Sequence, residues 1–246
     1  MLMSFVVCLV LFLVIGLASA RVRKNNAQDY YLASHSVPPW LVGLSAVATN
    51  NSGYMFIGVI GYTYAVGLSA SLLMIGWIIG DFLASLWVHQ RLRAQAFNHG
   101  ETSYVGVLAS WAGFPGRRFR IIAAVIGLIF LLSYAGAQLV AGSKALQVLL
   151  DWPAWLGAVI GAVLVMLYCI AGGIRASIWT DAAQSLLMVA SMIVLLFAAV
   201  SHLGGLGRVI EQAGAIDGFL SLTPTGLDIS GVAGPIAFIV GWMFAG

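Results

Sequence analysis

The sequence predicts an all-α, polytopic membrane protein, and three observations carry that prediction. Of its 246 residues, 61% are apolar and 8% are charged, where soluble domains carry about 25% charged residues. Apolar windows of about 20 residues, enough for a helix to cross the hydrocarbon of a bilayer, recur along the whole chain. The basic residues between those windows fall almost entirely on alternate connections, as the positive-inside bias of membrane proteins requires. No linker or change of composition divides the chain, so residues 1–246 read as one transmembrane domain.

The first window, 2–20, ends Ala18-Ser19-Ala20 in the manner of a signal-peptidase site. Its basic residues, Arg21, Arg23 and Lys24, follow the apolar core, whereas a secretory signal carries them in front. The segment is therefore expected to stay as a first span with its N-terminus outside. Further windows lie at 40–64, 68–88, 121–143, 154–172 and 178–200, with a last apolar start at 232–246. In that orientation Arg91, Arg93, Arg117, Arg118, Arg120 and Arg175 join the first three basic residues on the cytoplasmic side. Only Lys144 and Arg208 face outward.

The connection 89–117 reads either as a plain connector or as a short interfacial helix over 105–111 capped by Ser103. The outer loop 201–231 holds Glu211, Asp217 and Asp228. Its Gly204-Gly205-Leu206-Gly207 lacks the preceding strand and the GK[ST] of a phosphate cradle. After Pro235 only eleven residues remain. This predicts that the sequence is the N-terminal part of a longer protein, stopping inside a span.

Window 40–64 differs from the others. Its middle reads Thr49-Asn50-Asn51-Ser52-Gly53, where a lipid-facing helix would carry Leu, Val or Ile. Polar backbone at membrane depth is tolerated where it is buried in protein or lines a cavity. Asn and Gly both disfavour a helix interior, so a break is expected there. A broken membrane helix frees carbonyl oxygens, which coordinate small cations in secondary transporters. The stretch therefore predicts half of an ion and solute site.

Ionisable residues inside spans are functional suspects, because insertion costs about 2.5–3.5 kcal/mol each. Asp181 is read either as a first-turn carboxylate beside the interfacial Trp179 or as a cation-handling group at the inner exit of the site. Asp81 is read as a helix-packing group, with solute contact as the alternative. Tyr134 and Gln138, four residues apart, share one helix face; packing is the expected use of Gln138. Gly157-x-x-x-Gly161 predicts a close helix contact.

Other classes have little support. The basic residues sit in short loops rather than on one face, which argues against nucleic acid. Cys8 and Cys169 lie in separate apolar runs without metal-ligand spacing. His35, His89, His99 and His202 form no metal pair and no set with a nucleophile, so no enzymatic activity and no organic cofactor are expected.

The chain resembles the sodium/solute symporter family, whose members move proline, pantothenate or sugars together with sodium. The residues that carry the resemblance are Asp29-Tyr30-Tyr31-Leu32-Ala33, then Ser45-Ala46-Val47-Ala48-Thr49-Asn50-Asn51-Ser52-Gly53. They continue in Ala171-Gly172-Gly173-Ile174-Arg175 and Trp179-Thr180-Asp181-x-x-Gln184. The resemblance implies a five-plus-five inverted-repeat (leucine-transporter-like) fold. In it 2–20 would be an extra helix, 40–200 the first repeat and 232–246 the start of the second.

It further implies sodium held by the backbone carbonyls of Ala48 and Asn51, with Asn50, Ser52 and Asp181 in the ion-binding set. Hydroxyl ligands from the second repeat would complete that site. Ser52, Gly53, Tyr134 and Trp242 would line the solute, whose negative group the half-helix after the break could face. Proline members carry Asp where this chain has Asn50, and sugar members carry Asn there; Tyr134 matches the proline group. The expected function is sodium-coupled import of a small organic solute, proline first, across a bacterial inner membrane by alternating access. A pantothenate, carboxylate or sugar carrier and the sensor module of a signalling kinase are the alternatives.

Overall fold

The computed structural model describes residues 2–24, 26–51, 53–113, 116–224 and 231–245, with Tyr54 and Phe56 as backbone alone. Every regular element among the described residues is helical. The chain divides into two compact units, Met1–Tyr54 with Ile126–Leu196, and Met55–Val125 with Phe197–Gly246. The helices are α1 (Leu2–Ser19), α2 (Ala27–Leu32), α3 (Pro39–Asn50), α4 (Val59–Val66), α5 (Ala70–Ala84) and α6 (Gln90–His99). They continue as α7 (Tyr104–Trp111), α8 (Arg117–Leu150), α9 (Ala154–His202), α10 (Leu206–Gly214) and α11 (Ala233–Met243).

Five helical stretches are long and apolar enough to cross a membrane: Leu2–Val22, Val59–His99, Arg117–Leu150, Ala154–Gly172 and Ile174–His202. Their large apolar side chains, among them Phe130, Leu131, Val194 and Phe197, are exposed on the protein surface. Hydrocarbon, not water, is the solvent in which such faces are stable. The chain is a multi-pass membrane protein.

In the first unit, α1 is apolar all round and uses small residues to dock. A Cβ on Gly16 would meet Tyr168 and Thr180, and a Cβ on Gly172 would meet the Ser19 hydroxyl. Gly157 likewise sits against Ser143 and Leu146 of α8, so the expected small-residue contact on α9 is present. The Ser143 hydroxyl donates to the Ala154 carbonyl and accepts from the Ala158 N–H, tying the start of α9 to α8.

In the second unit, small residues do the same for α5 and α11. A Cβ on Gly76 would run into the Ile239 carbonyl and one on Gly80 into the Met243 carbonyl. The Trp242 ring lies 6.1 Å from that of Trp77, tilted, and 6.3 Å from that of Phe238, edge to face, measured between centroids. Gly76-x-x-x-Gly80 is the same small-residue spacing as on α9.

Two expected boundaries are corrected. The helix after window 68–88 does not stop at its apolar end; it runs through a π-helical turn, Ser85–His89, into α6 and ends where Gly100 takes φ +64. Glycine adopts that left-handed conformation without a Cβ penalty, which makes it a common helix stop. The expected spans 154–172 and 178–200 are both helical, as Ala154–Gly172 and Ile174–His202, and what parts them within α9 is Gly173, non-helical at φ 61 and ψ −147. The loop 201–231 contains α10, whose Leu206, Val209, Ile210 and Ala213 lie three and four apart on one face. Ser103 does cap α7, its hydroxyl accepting the Gly106 N–H at 3.1 Å. Asp228 lies outside the described residues.

Candidate functional site

The expected break is present. Pro39 starts α3, where its missing N–H costs nothing. The helix ends at Asn50. The Asn51 N–H still returns to the Val47 carbonyl at 3.0 Å, but Asn51 itself has φ −81 and ψ 77, outside the helical region. In a continuing helix the Gly53 N–H would return to Thr49. It donates instead to Gln138 Oε1 on α8, at 2.7 Å. A π-helical turn, Tyr54–Gly58, then leads into α4. A helix that stops leaves its last carbonyls without intrahelical donors and its carboxy end partially negative. Ala48 and Asn51 are half-buried at that end, and Asn50 is exposed. Ser52, expected in both the ion and the solute sets, lies outside the described residues.

Gly53 is required here for space. A Cβ at that position would lie 2.8 Å from the Ala141 Cβ and 3.2 Å from Gln138 Oε1. Gly53→Ala is therefore expected to destabilise the protein by about 1–3 kcal/mol through overpacking. Adding Ala141→Gly to the same chain should return most of the lost thermal stability, measured by unfolding in detergent. A double variant no more stable than Gly53→Ala would show that the α3–α8 approach is not what limits this position.

Asp181 is held against α3. Its Oδ2 accepts from the Ser45 hydroxyl at 3.0 Å and from the Ser177 hydroxyl at 3.2 Å. One turn further, the Ser185 hydroxyl donates to the Leu44 carbonyl at 2.6 Å. Ser177, Asp181 and Ser185 are spaced by four and form one polar stripe on α9. Ser45 and Ser185 are buried. The stripe's spacing was the sequence signal for this contact. Among the described residues the side-chain partners of Asp181 are the Ser45 and Ser177 hydroxyls.

Tyr134 lies one turn before Gln138 on α8 and is half exposed. Trp242 belongs to the second unit, with Trp77 and Phe238 as its ring neighbours there. Asp81 follows Gly80 on α5 and is half-buried.

Arg175 is expected from the sequence among the loop charges of the cytoplasmic side. The structure places it inside, 7% exposed, with Nη2 at 2.8 Å from Asp29 Oδ1. The same nitrogen donates to the Ala33 carbonyl at 3.0 Å and the Ser36 hydroxyl at 3.2 Å. Asp29 is fully shielded. It also accepts from the Ser34 hydroxyl and the Lys24 N–H, while Asn26 caps α2 by accepting the Asp29 N–H. The Ser34 hydroxyl does most to hold the Asp29 carboxyl below its ordinary 3.8; burial opposes this, and the Lys24 N–H and Arg175 add to the lowering. Two further bonds fasten the segment to α9: Arg23 Nη1 to the Ala171 carbonyl at 2.8 Å, and the Tyr30 hydroxyl to the Cys169 carbonyl at 3.1 Å. The Gly173 kink leaves room for the Tyr30 carbonyl, which any Cβ there would strike. The Asn26-x-x-Asp29 spacing, a capping pattern, was the available signal.

A profile of the sodium:solute symporter family matches residues 30–245. The chain is 27% identical over 221 residues to the "High-affinity proline transporter PutP" of Bacillus subtilis (strain 168), covering 89% of this chain and 47% of that protein. It is 29% identical over 212 residues to the "Sodium/proline symporter" of Escherichia coli (strain K12), covering 86% and 42%. It is 31% identical over 221 residues to the "Sodium/glucose cotransporter 4" of Danio rerio, covering 84% and 31%. The chain thus spans less than half the length of each of these relatives. No solved structure matches. These relatives are named as transporters, not enzymes. With the profile covering most of the chain, and a broken α3 and a hydroxyl-bound Asp181 within it, the chain belongs to the sodium:solute symporter family.

Proposed function

We propose that this chain forms the N-terminal part of a sodium-coupled symporter that imports a small organic solute, proline in the first place, by alternating access. The observation that carries the reading is the interruption of α3 at Asn51 inside the family-matched segment. Sodium entering from outside binds at the carboxy end of α3, through the carbonyls of Ala48 and Asn51, with Asn50 and Ser52 beside it. Asp181 receives the ion on its way to the cytoplasm, its hydroxyl partners Ser45 and Ser177 exchanging with it. Ser52, Gly53 and Tyr134 contact the solute; Trp242 is given the same role by sequence position alone. The fold in this reading is the five-plus-five inverted repeat, with 2–20 as the extra helix, 40–200 as the first repeat and 232–246 opening the second. The protein lies in the inner membrane with its N-terminus outside, and sodium is its coupling ion in place of any organic cofactor.

A sugar is the second reading, favoured by Asn50 and by the relative named as a glucose cotransporter. The test is uptake of labelled proline into proteoliposomes by the protein expressed from its native reading frame, with an inward sodium gradient, a potassium gradient or none. Accumulation is expected only with sodium, and excess unlabelled glucose should leave it unchanged. Accumulation that ignores sodium removes the coupling, and competition by glucose moves the solute to the sugar class.

A further inference from the structure

The break after Asn50 is not explained by α3 alone. Asn and Gly lower helix propensity by under about 1 kcal/mol each, and in hydrocarbon an open backbone N–H is costly enough to pull a frayed segment back into helix. Something must satisfy the Gly53 N–H away from the helix axis. The acceptor is Gln138, half-buried on α8, whose Oε1 lies 2.7 Å from the Gly53 nitrogen. The N–H taken by Gln138 is the one that α-helical geometry would return to Thr49. Close approach of the two backbones depends on the absent Cβ of Gly53 and the small Ala141, one turn beyond Gln138.

We propose that Gln138 is the positioning residue that keeps this helix broken: by holding the Gly53 N–H it leaves the Thr49 carbonyl, and with it the carboxy end of α3, open to a monovalent cation. Gln138 itself need not touch the ion. Its oxygen removes a competing donor, and the carboxy-terminal dipole of α3 then favours positive charge. The inference rests on the sodium-coupled reading above.

The experiment compares Gln138→Leu, Gln138→Glu and the unaltered protein, each expressed from the native reading frame, by the sodium concentration that half-saturates uptake. Leucine keeps the volume and removes the acceptor. Half-saturating sodium should rise roughly tenfold, the equivalent of about 1.4 kcal/mol, with maximal uptake and thermal stability nearly unchanged. Glutamate keeps an acceptor in the same place, so its half-saturating sodium should stay within about twofold of the unaltered protein or fall below it, since hydrogen bonds to a carboxylate are the stronger ones. A merely structural Gln138 would lower stability and maximal uptake in both variants and leave sodium affinity alone, which overturns the proposal. So does a leucine variant with normal sodium affinity. Should the unaltered protein transport without sodium, the functional reading fails, and the role of Gln138 then stands or falls on cation binding alone. As a readout independent of transport, a cysteine placed at Thr49 should be protected from a membrane-permeant thiol reagent by sodium in the unaltered background and lose that protection with Gln138→Leu.

Discussion

Arg175→Met will remove most of the folded protein from the membrane, by about tenfold or more, because it strands a shielded carboxylate. Asp29 accepts from the Lys24 N–H, the Ser34 hydroxyl and Arg175, and its own N–H donates to Asn26 Oδ1, so that one carboxylate both ties the segment 23–36 together and, through Arg175, fastens it to α9. The same segment contains Ala33, Ser34 and His35 in succession at φ 48, 50 and 54. Non-glycine residues disfavour that left-handed region by about 1–2 kcal/mol each, so the clamp must offset that strain. Arg175→Lys should keep a larger share of folded protein, since among the described residues a single nitrogen of Arg175 makes its three side-chain bonds and its buried Nε has no partner. The measurement is the monodisperse fraction in detergent for each variant. Equal yields for the methionine and unaltered proteins would mean that the clamp contributes nothing to folding.

The clamp also has a predicted pH response. The folded carboxyl of Asp29 titrates below its ordinary 3.8. The unfolded state therefore binds the proton more readily than the folded state, and the stabilisation is fully present above 3.8. It is lost as pH falls through the lower folded value. Thermal stability attributable to Arg175, taken as the difference from Arg175→Met, should be flat from neutral pH down to that limit and shrink only beneath it.

The second large effect is expected at Asp181. Asp181→Asn keeps the size and an acceptor for Ser45 and Ser177 but removes the charge. Half-saturating sodium should rise by about tenfold to a hundredfold, the range of about 1.5–3 kcal/mol seen for hydrogen bonds and contacts to a charged group. Ser45→Ala should shift it in the same direction by a smaller factor, because Ser177 still donates. Uptake measured against sodium concentration in proteoliposomes separates these from folding defects, which lower the maximum and leave the midpoint. If Asp181→Asn carries solute with an unchanged sodium midpoint, the carboxylate belongs to the helix end and not to the ion.

Much of this was readable residue by residue. The spans follow from the transfer of apolar side chains into hydrocarbon, a property each window has by itself. The place of the break follows from five residues that neither favour helix nor tolerate lipid, although what holds it open, Gln138, lies on another helix. Gly157-x-x-x-Gly161 and the Ser103 cap are also local patterns, and both are seen. Where expectation failed, locality is the reason. Window 68–88 was ended where hydropathy ends, although nothing polar about Gln90–His99 stops a helix until Gly100 does. Arg175 was counted as a loop charge because a charge between two apolar windows is ordinarily exposed.

What the sequence alone determined is the solvent this protein lives in, its family and the place where one helix cannot remain intact. Which groups meet was settled only in three dimensions. Asp29 and Arg175 are 146 residues apart, Ser45 and Asp181 136, Gly53 and Gln138 85. Each pairing satisfies a polar group that burial would otherwise penalise. The choice of partner depends on which helices lie side by side, a consequence of small-residue packing spread over the chain rather than of any one segment.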